Sequence, residues 1–299
     1  MNHILIVGTG ALATLFAARL AQTGTQISML GTWEAGLEAL RKEGTRLVDA
    51  EGVEQQFEVQ ATHNPEEFRG IKHALVLVKS WQTEYVAARL KECLAEDGLA
   101  VTLQNGLGNY EMLSRTLESG RVALGTTTTG ATLLGPGQVR AGGEGVISIE
   151  RHRALGPIEE ALRAANFNVN IVQDAQSLIW GKLVINAAIN PLTALLRVPN
   201  GKLLERPSAR EMMSALASET AQVAAAEKIR LPFSDPIAAA EEVARKTYSN
   251  HSSMLQDVLR GAPTEIDAIC GGVVRVAQKH DMEVPANRAC WKLVKAKTE

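Results

Sequence analysis

Lys182, Asn186 and Asn190 recur every four residues in the otherwise apolar run Trp180-Gly-Lys-Leu-Val-Ile-Asn-Ala-Ala-Ile-Asn-Pro-Leu-Thr-Ala194. In an α-helix, positions four apart advance by only about 40° around the axis, so one ammonium and two amides share a face. The other faces carry Leu183, Val184, Ile185, Ala187, Ala188 and Ile189 and belong in a protein interior. Burying an unpaired ammonium costs several kcal/mol, so the stripe needs partners or a wet pocket and reads as a pocket wall. A solvated face is the plainer alternative. Pro191 lacks an N–H and frees the carbonyl of Ala187, which predicts a kink or a helix end beside the stripe.

Two later segments carry a comparable polar load, Asn250-His-Ser-Ser253-Met-Leu-Gln-Asp257 and Thr264-Glu265-Ile-Asp267. Asn250 and Ser253 are small hydrogen-bonding residues suited to substrate hydroxyl or carboxylate groups. Thr264-Glu265 after Pro263 reads equally well as a helix start with an acid in its first turn. His251 beside the serines reads as an ordinary hydrogen-bonded histidine. Cys93, Cys270 and Cys290 are far apart, match no zinc or disulfide spacing, and read as reduced packing thiols. The scattered histidines and cysteines suggest no metal site.

The elements that must position these groups follow from periodicity. A short strand, Asn2 to Val7, runs into Gly8-Thr9-Gly10-Ala11-Leu12-Ala13 and then a helical pattern to Gln22. This strand, glycine turn and helix match G-x-G-x-x-A, in which Gly8 permits the turn and Gly10 lets a pyrophosphate approach the helix N-terminus. Further strands are predicted at Thr25–Leu30, Ala74–Val78 and Ala100–Leu103, with a helix over Gln82–Leu94, implying a mostly parallel sheet. Lys79-Ser-Trp-Gln82 and Gln104-Asn105-Gly106-Leu-Gly108 then fall at strand ends, where ligands of such sheets bind. Asn105-Gly106 is either a plain turn or an amide beside a nicotinamide. The ribose-gripping acid belongs after the second strand, but that place reads Leu30-Gly-Thr-Trp-Glu34; Glu34 is slightly late, and no arginine stands ready for a 2′-phosphate.

From Arg121 to Glu150 the Gly, Thr and Val content predicts strands extending the sheet, followed by a helix from Gly156-Pro157 to Ala165 and a strand over Val169–Val172. Beyond Gln173 the chain is helical, broken at Pro199-Asn-Gly201, Leu231-Pro232, Pro236, Gly261-Ala-Pro263 and Pro285. The expected fold is thus α/β, a Rossmann-type dinucleotide-binding domain over residues 1–173 followed by an all-α domain over 174–299. A length of 299 residues accords with two domains. A net charge of −2 without a long basic run argues against nucleic acid and anionic membranes as partners. No apolar run approaches the ~20 residues of a membrane span, and the first is too short for a secretory signal, so a cytoplasmic location is expected.

Taken together, Gly8-Thr-Gly10-Ala-Leu-Ala13, Lys79-Ser-Trp-Gln82, Asn105-Gly-Leu-Gly108, Gly125-Thr-Thr-Thr128, Trp180 through Ala194, Pro199-Asn-Gly201, Ser252 through Asp257 and Thr264-Glu-Ile-Asp267 resemble the ketopantoate reductases of pantothenate and coenzyme A biosynthesis. The resemblance implies NADPH-dependent reduction of 2-dehydropantoate, with Lys182 as catalytic acid and Glu265 assisting. It implies substrate binding by Asn105, Asn186, Asn190, Asn250 and Ser253, and cofactor contacts from Gly8, Thr9, Gly10, Ala11, Leu12, Lys79, Asn105 and Glu265. The departure is at Thr32-Trp33, where some family members hold an arginine against the 2′-phosphate. Lys79 still offers a point charge there, so NADPH is the expected cofactor and NADH its competitor. Ketone reduction creates an alkoxide that an ammonium can stabilise and protonate, which is the role expected of Lys182. A site drawn from both halves of the chain implies a cleft that closes after the cofactor binds. A dehydrogenase for another 2-oxo or hydroxy acid and a non-catalytic NADP-sensing regulator are the alternatives. The oligomeric state is left open, a homodimer included.

Overall fold

Continuous apolar strands followed by amphipathic helices dictate a sheet covered on both faces. The computed structural model describes residues 3–299, so the start of the first strand expected at Asn2 lies outside the described residues. Two compact units emerge, Met1–Gln104 with Asn109–Ala175, and Asn105–Gly108 with Gln176–Glu299. Sequence reasoning drew one divide near Gln173; the structure adds the short excursion at 105–108.

The first unit runs β1 (His3–Val7), α1 (Ala11–Gln22), β2 (Gln26–Leu30), α2 (Glu34–Glu43), β3 (Thr45–Val48), β4 (Glu54–Phe57), β5 (Gln60–Thr62), β6 (Ile71–Val76), α3 (Thr83–Cys93), β7 (Leu94–Thr102), α4 (Asn109–Leu117), β8 (Val122–Thr127), β9 (Ala131–Gly135), β10 (Gln138–Ala141), β11 (Val146–Glu150), α5 (Gly156–Ala164) and β12 (Asn168–Val172). The main sheet has the order β12-β11-β8-β7-β6-β1-β2-β5. It is parallel from β5 through β8, while β11 is antiparallel to β8 and parallel to β12.

β1 lies between β6 and β2, and alternation along the strand sends its side chains to two separate cores. Ile4 and Ile6 pack with Phe16, Leu20 and Leu37, whereas Leu5 and Val7 pack with Val86, Leu90 and Leu113. The parallel α/β class expected from sequence is the one observed. The strands after Arg121 divide differently from the expectation. β8 and β11 extend the main sheet, but β9 and β10 join β3 and β4 in a separate four-stranded sheet, because β10 pairs in parallel with β3.

The second unit comprises α6 (Gln176–Leu196), α7 (Pro207–Ala226), α8 (Pro236–Lys246), α9 (Ser253–Leu259), α10 (Cys270–Lys279) and α11 (Pro285–Thr298). α6 is its core helix: Leu183, Val184, Ala187, Ala188 and Ile189 are buried with Met213, Leu216, Ile269 and Val273. Pro191 does not end the helix, as one reading of the sequence had it; α6 continues to Leu196. Residues 191–194 are all buried, so packing holds a turn that the lost hydrogen bond alone would loosen. By length and composition α6 could cross a membrane, contrary to the expectation that no such run exists, but most of it is buried within the second unit.

Candidate active site

The stripe lies where the helical period puts it, on one face of α6. Lys182 and Asn186 are half-buried and Asn190 is buried. The Lys182 side chain keeps some access to solvent, yet its ammonium is so recessed among protein atoms that desolvation lowers its pKa to about 8, a fall that the Glu265 carboxylate opposes. Neither the Asn186 nor the Asn190 amide hydrogen-bonds another described residue. Two recessed amides beside an ammonium, with apolar residues on the other faces of the helix, form a polar surface suited to a small anion rich in oxygen.

Glu265 precedes α10 in a turn. Its carbonyl accepts from the N–H groups of Ala268 and Ile269, but α10 begins only at Cys270 with no acid in its first turn, so Thr264-Glu265 is not the helix start that the plainer reading proposed. Its carboxylate does a different job. The carboxylate is buried and accepts from Asn105 Nδ2 at 3.0 Å. Asn105 reaches it because the next residue, Gly106, turns with φ +81°, and a Cβ there would sit 2.6 Å from the Ala268 carbonyl oxygen. Leu107 N–H then donates to that same oxygen at 2.9 Å. The Asn105-Gly106 pair is therefore both a tight turn and the carrier of an amide bound to Glu265.

Asn250 and Ser253 are exposed and flank the start of α9. Neither side chain hydrogen-bonds the stripe or any other described residue. The residue that caps α9 is Ser252, whose hydroxyl accepts from Leu255 N–H at 3.0 Å. The sequence reading gave Ser252 no role, although a serine three residues before an apolar helix position is a cap signature. His251 is exposed, and its carbonyl accepts from Gln256 Nε2. The three cysteines are free and buried; desolvation pushes the thiols of Cys93 and Cys290 up to about 11 and raises that of Cys270 well above the ordinary thiol value. They are packing groups. Among the described residues no cluster of His, Cys, Asp or Glu could hold a metal ion.

The residues expected to meet a dinucleotide lie in the first unit, apart from Asn105 and Glu265. Gly8 adopts φ +129° with its Cα against the Leu77 backbone, and its N–H donates to Leu30 O at 2.8 Å. Gly10 is the N-cap of α1, makes no side-chain cap, and a Cβ added to it would meet nothing within 4 Å. The first N–H groups of α1, those of Ala11 and Leu12 among them, thus have no capping side chain and open space in front of Gly10. That arrangement fits a pyrophosphate. Thr9 is buried, and Lys79 is half-buried at the N-cap of the short 3-10 turn Ser80–Gln82. Thr32 accepts a long hydrogen bond from Gln82 Nε2, and Glu34, the first residue of α2, pairs with Arg41 at 3.2 Å.

Comparison with known proteins adds the lineage. The pattern described as "Ketopantoate reductase PanE/ApbA" matches residues 4–154, and that described as "Ketopantoate reductase PanE/ApbA C terminal" matches residues 174–298. A 2-dehydropantoate 2-reductase of Halobacterium salinarum is 34% identical, the match covering 98% of each chain. The crystal structure of a PanE/ApbA family ketopantoate reductase from Ralstonia eutropha JMP134 superimposes with a TM-score of 0.92 at 30% identity, covering 99% of this chain and 98% of that one. A ternary structure of D-mandelate dehydrogenase with NADH and anilino(oxo)acetate gives a TM-score of 0.92 at 25% identity, over 99% of this chain and 98% of that one. With both units matched and a relative of this identity aligned end to end, the chain belongs to the ketopantoate reductase family of oxidoreductases, with an NAD(P)-binding Rossmann domain.

Proposed function

We propose that the protein reduces 2-dehydropantoate to pantoate with NADPH, and that Lys182 is the general acid. The observation that carries this reading is the recessed ammonium of Lys182, held near a buried carboxylate and sharing a helix face with two amides that have no hydrogen-bond partner among the described residues. The reduced nicotinamide, when bound, would supply the hydride for the ketone carbon, which would leave alkoxide charge on the substrate oxygen. Lys182 meets that oxygen as a cation and then protonates it. With a pKa near 8 it is mostly charged at neutral pH, yet gives up its proton far more readily than a lysine in water. Glu265 keeps the ammonium charged and in place, and Asn105 fixes the carboxylate that does so. Asn186 and Asn190 orient the oxo acid, with Asn250 and Ser253 contributing from the α9 side. Gly8, Thr9, Gly10, Ala11 and Leu12 seat the pyrophosphate, and Lys79 reads the 2′-phosphate.

The similarity to D-mandelate dehydrogenase crystallised with NADH favours one second reading, an NADH-linked enzyme for another 2-oxo acid. Steady-state assays of ketopantoate and a panel of 2-oxo acids, each with NADPH and NADH, decide between them. A kcat/KM for another oxo acid exceeding that for ketopantoate overturns the first reading.

A further inference from the structure

The groups assigned to substrate on the α9 side, Asn250 and Ser253, are exposed and make no side-chain hydrogen bonds among the described residues, so something else must fix where they stand. Two buried hydroxyls do this. Thr193 is wholly buried on α6, one turn beyond Asn190, and Ser252 is buried at the N-cap of α9. Their oxygens are 2.7 Å apart.

Thr193 has one proton and gives it to the carbonyl of Asn190 at 2.9 Å, so the proton between the hydroxyls comes from Ser252. Ser252 still accepts from Leu255 N–H at 3.0 Å. A directed chain therefore runs from the first turn of α9 through Ser252 and Thr193 to the backbone of Asn190. A second clamp holds the other end of the segment: Asn200 N–H donates to the Asn250 carbonyl at 3.0 Å, Gly201 N–H to that of Tyr248 at 3.0 Å, and Asn200 Nδ2 to the Thr247 hydroxyl at 2.9 Å.

We propose that Thr193 and Ser252 are a positioning pair for substrate specificity, setting Asn250 and Ser253 against Asn190 so that the amides and hydroxyl meet one oxo acid together. Neither hydroxyl touches substrate. The inference rests on the substrate reading given above, and the experiment separates the two. KM and kcat for ketopantoate, NADPH affinity by fluorescence titration and melting temperature are measured for Thr193→Val, Thr193→Ser, Ser252→Asn, Asn250→Ala and Ser253→Ala.

Thr193→Val should raise KM for ketopantoate about tenfold or more with kcat little changed, since a small misplacement of binding groups is costly. NADPH affinity should stay at the wild-type value, and Thr193→Ser, which restores the hydroxyl, should restore KM. Ser252→Asn keeps a cap acceptor for Leu255 but loses the hydroxyl bridge, and it should reproduce the rise even where Thr193→Val does not fold. If Thr193→Val and Ser252→Asn lower only the melting temperature and leave KM alone, the pair is structural and the proposal is overturned. If KM is also unmoved in Asn250→Ala and Ser253→Ala, the substrate assignment itself falls, and the pair's role with it.

Discussion

A lysine whose ammonium is recessed within the protein trades charge stability for acidity. For Lys182 the balance is set by desolvation, which lowers the pKa from 10.5 to about 8, and by Glu265, which raises it. In the proposed role it is the acid form that protonates the alkoxide, so activity should be level below about pH 8 and fall tenfold per unit above it, as read from kcat/KM against pH. Replacing Glu265 by Gln removes the influence that raises the pKa, and the alkaline limb should move to lower pH. An unshifted limb would detach the carboxylate from the lysine. Lys182→Ala should lower kcat by roughly a hundredfold or more, the usual worth of a positioned acid, while NADPH binding stays near normal. Retained turnover would remove Lys182 from this role.

At the scale of elements, α6 presents the stripe and its neighbours hold α6. One of these supports is remote from the chemistry. α11 begins at Pro285 with Val284 as an N-cap that offers no side-chain acceptor. Glu219 of α7 fills the gap, accepting from Ala286 N–H at 2.8 Å and from Asn287 N–H and Nδ2 at 2.9 Å each. Bonds to a charged acceptor at a helix N-terminus outweigh ordinary caps. Glu219→Ala should therefore cost about 2 kcal/mol in urea unfolding, with KM for ketopantoate unchanged. A changed KM at full stability would mean that α11 informs the site more directly than its packing indicates.

At the scale of the whole molecule, two observables report on the first unit without any turnover. A dinucleotide that binds only the folded chain stabilises it by about 2.7 kcal/mol at a hundred times its Kd. On the proposal that Lys79 supplies a cation for the 2′-phosphate, the melting temperature should rise with NADPH and rise less with NADH at equal concentration. Equal shifts would argue against that reading. The second observable is pH. Burial lowers the pKa of both His3 and His73 from 6.5, on adjacent strands β1 and β6. In the folded chain these rings favour the neutral form, so the unfolded chain binds more protons in the window below 6.5. Their contribution is fully present above pH 6.5 and is lost as pH falls through the lowered values. Melting temperatures measured from pH 7.5 to pH 5 should decline, and His73→Asn should flatten the decline.

Much of this was legible in the residues. Period-two and period-3.6 patterns are local, so β1, the glycine turn, α1 and the Lys182-Asn186-Asn190 face could be read without a fold, and the α/β class followed from their alternation. The elements between β2 and β6 and helix α4 were not read, since short strands such as Glu54–Phe57 carry little apolar signal. The placement of β9 and β10 beside β3 was beyond reach because it joins residues about ninety positions apart, and nothing in either segment encodes its partner. For the same reason the sequence could name Glu265 and Asn105 but not their hydrogen bond, which spans 160 positions and depends on Gly106 meeting Ala268. Residue chemistry and helical spacing determined which groups share a face. Only the tertiary structure decided which are recessed enough to be perturbed, that Pro191 leaves α6 unbroken, and that Ser252 and Thr193 meet, because burial and long-range pairing are properties of packed neighbours rather than of any local stretch of chain.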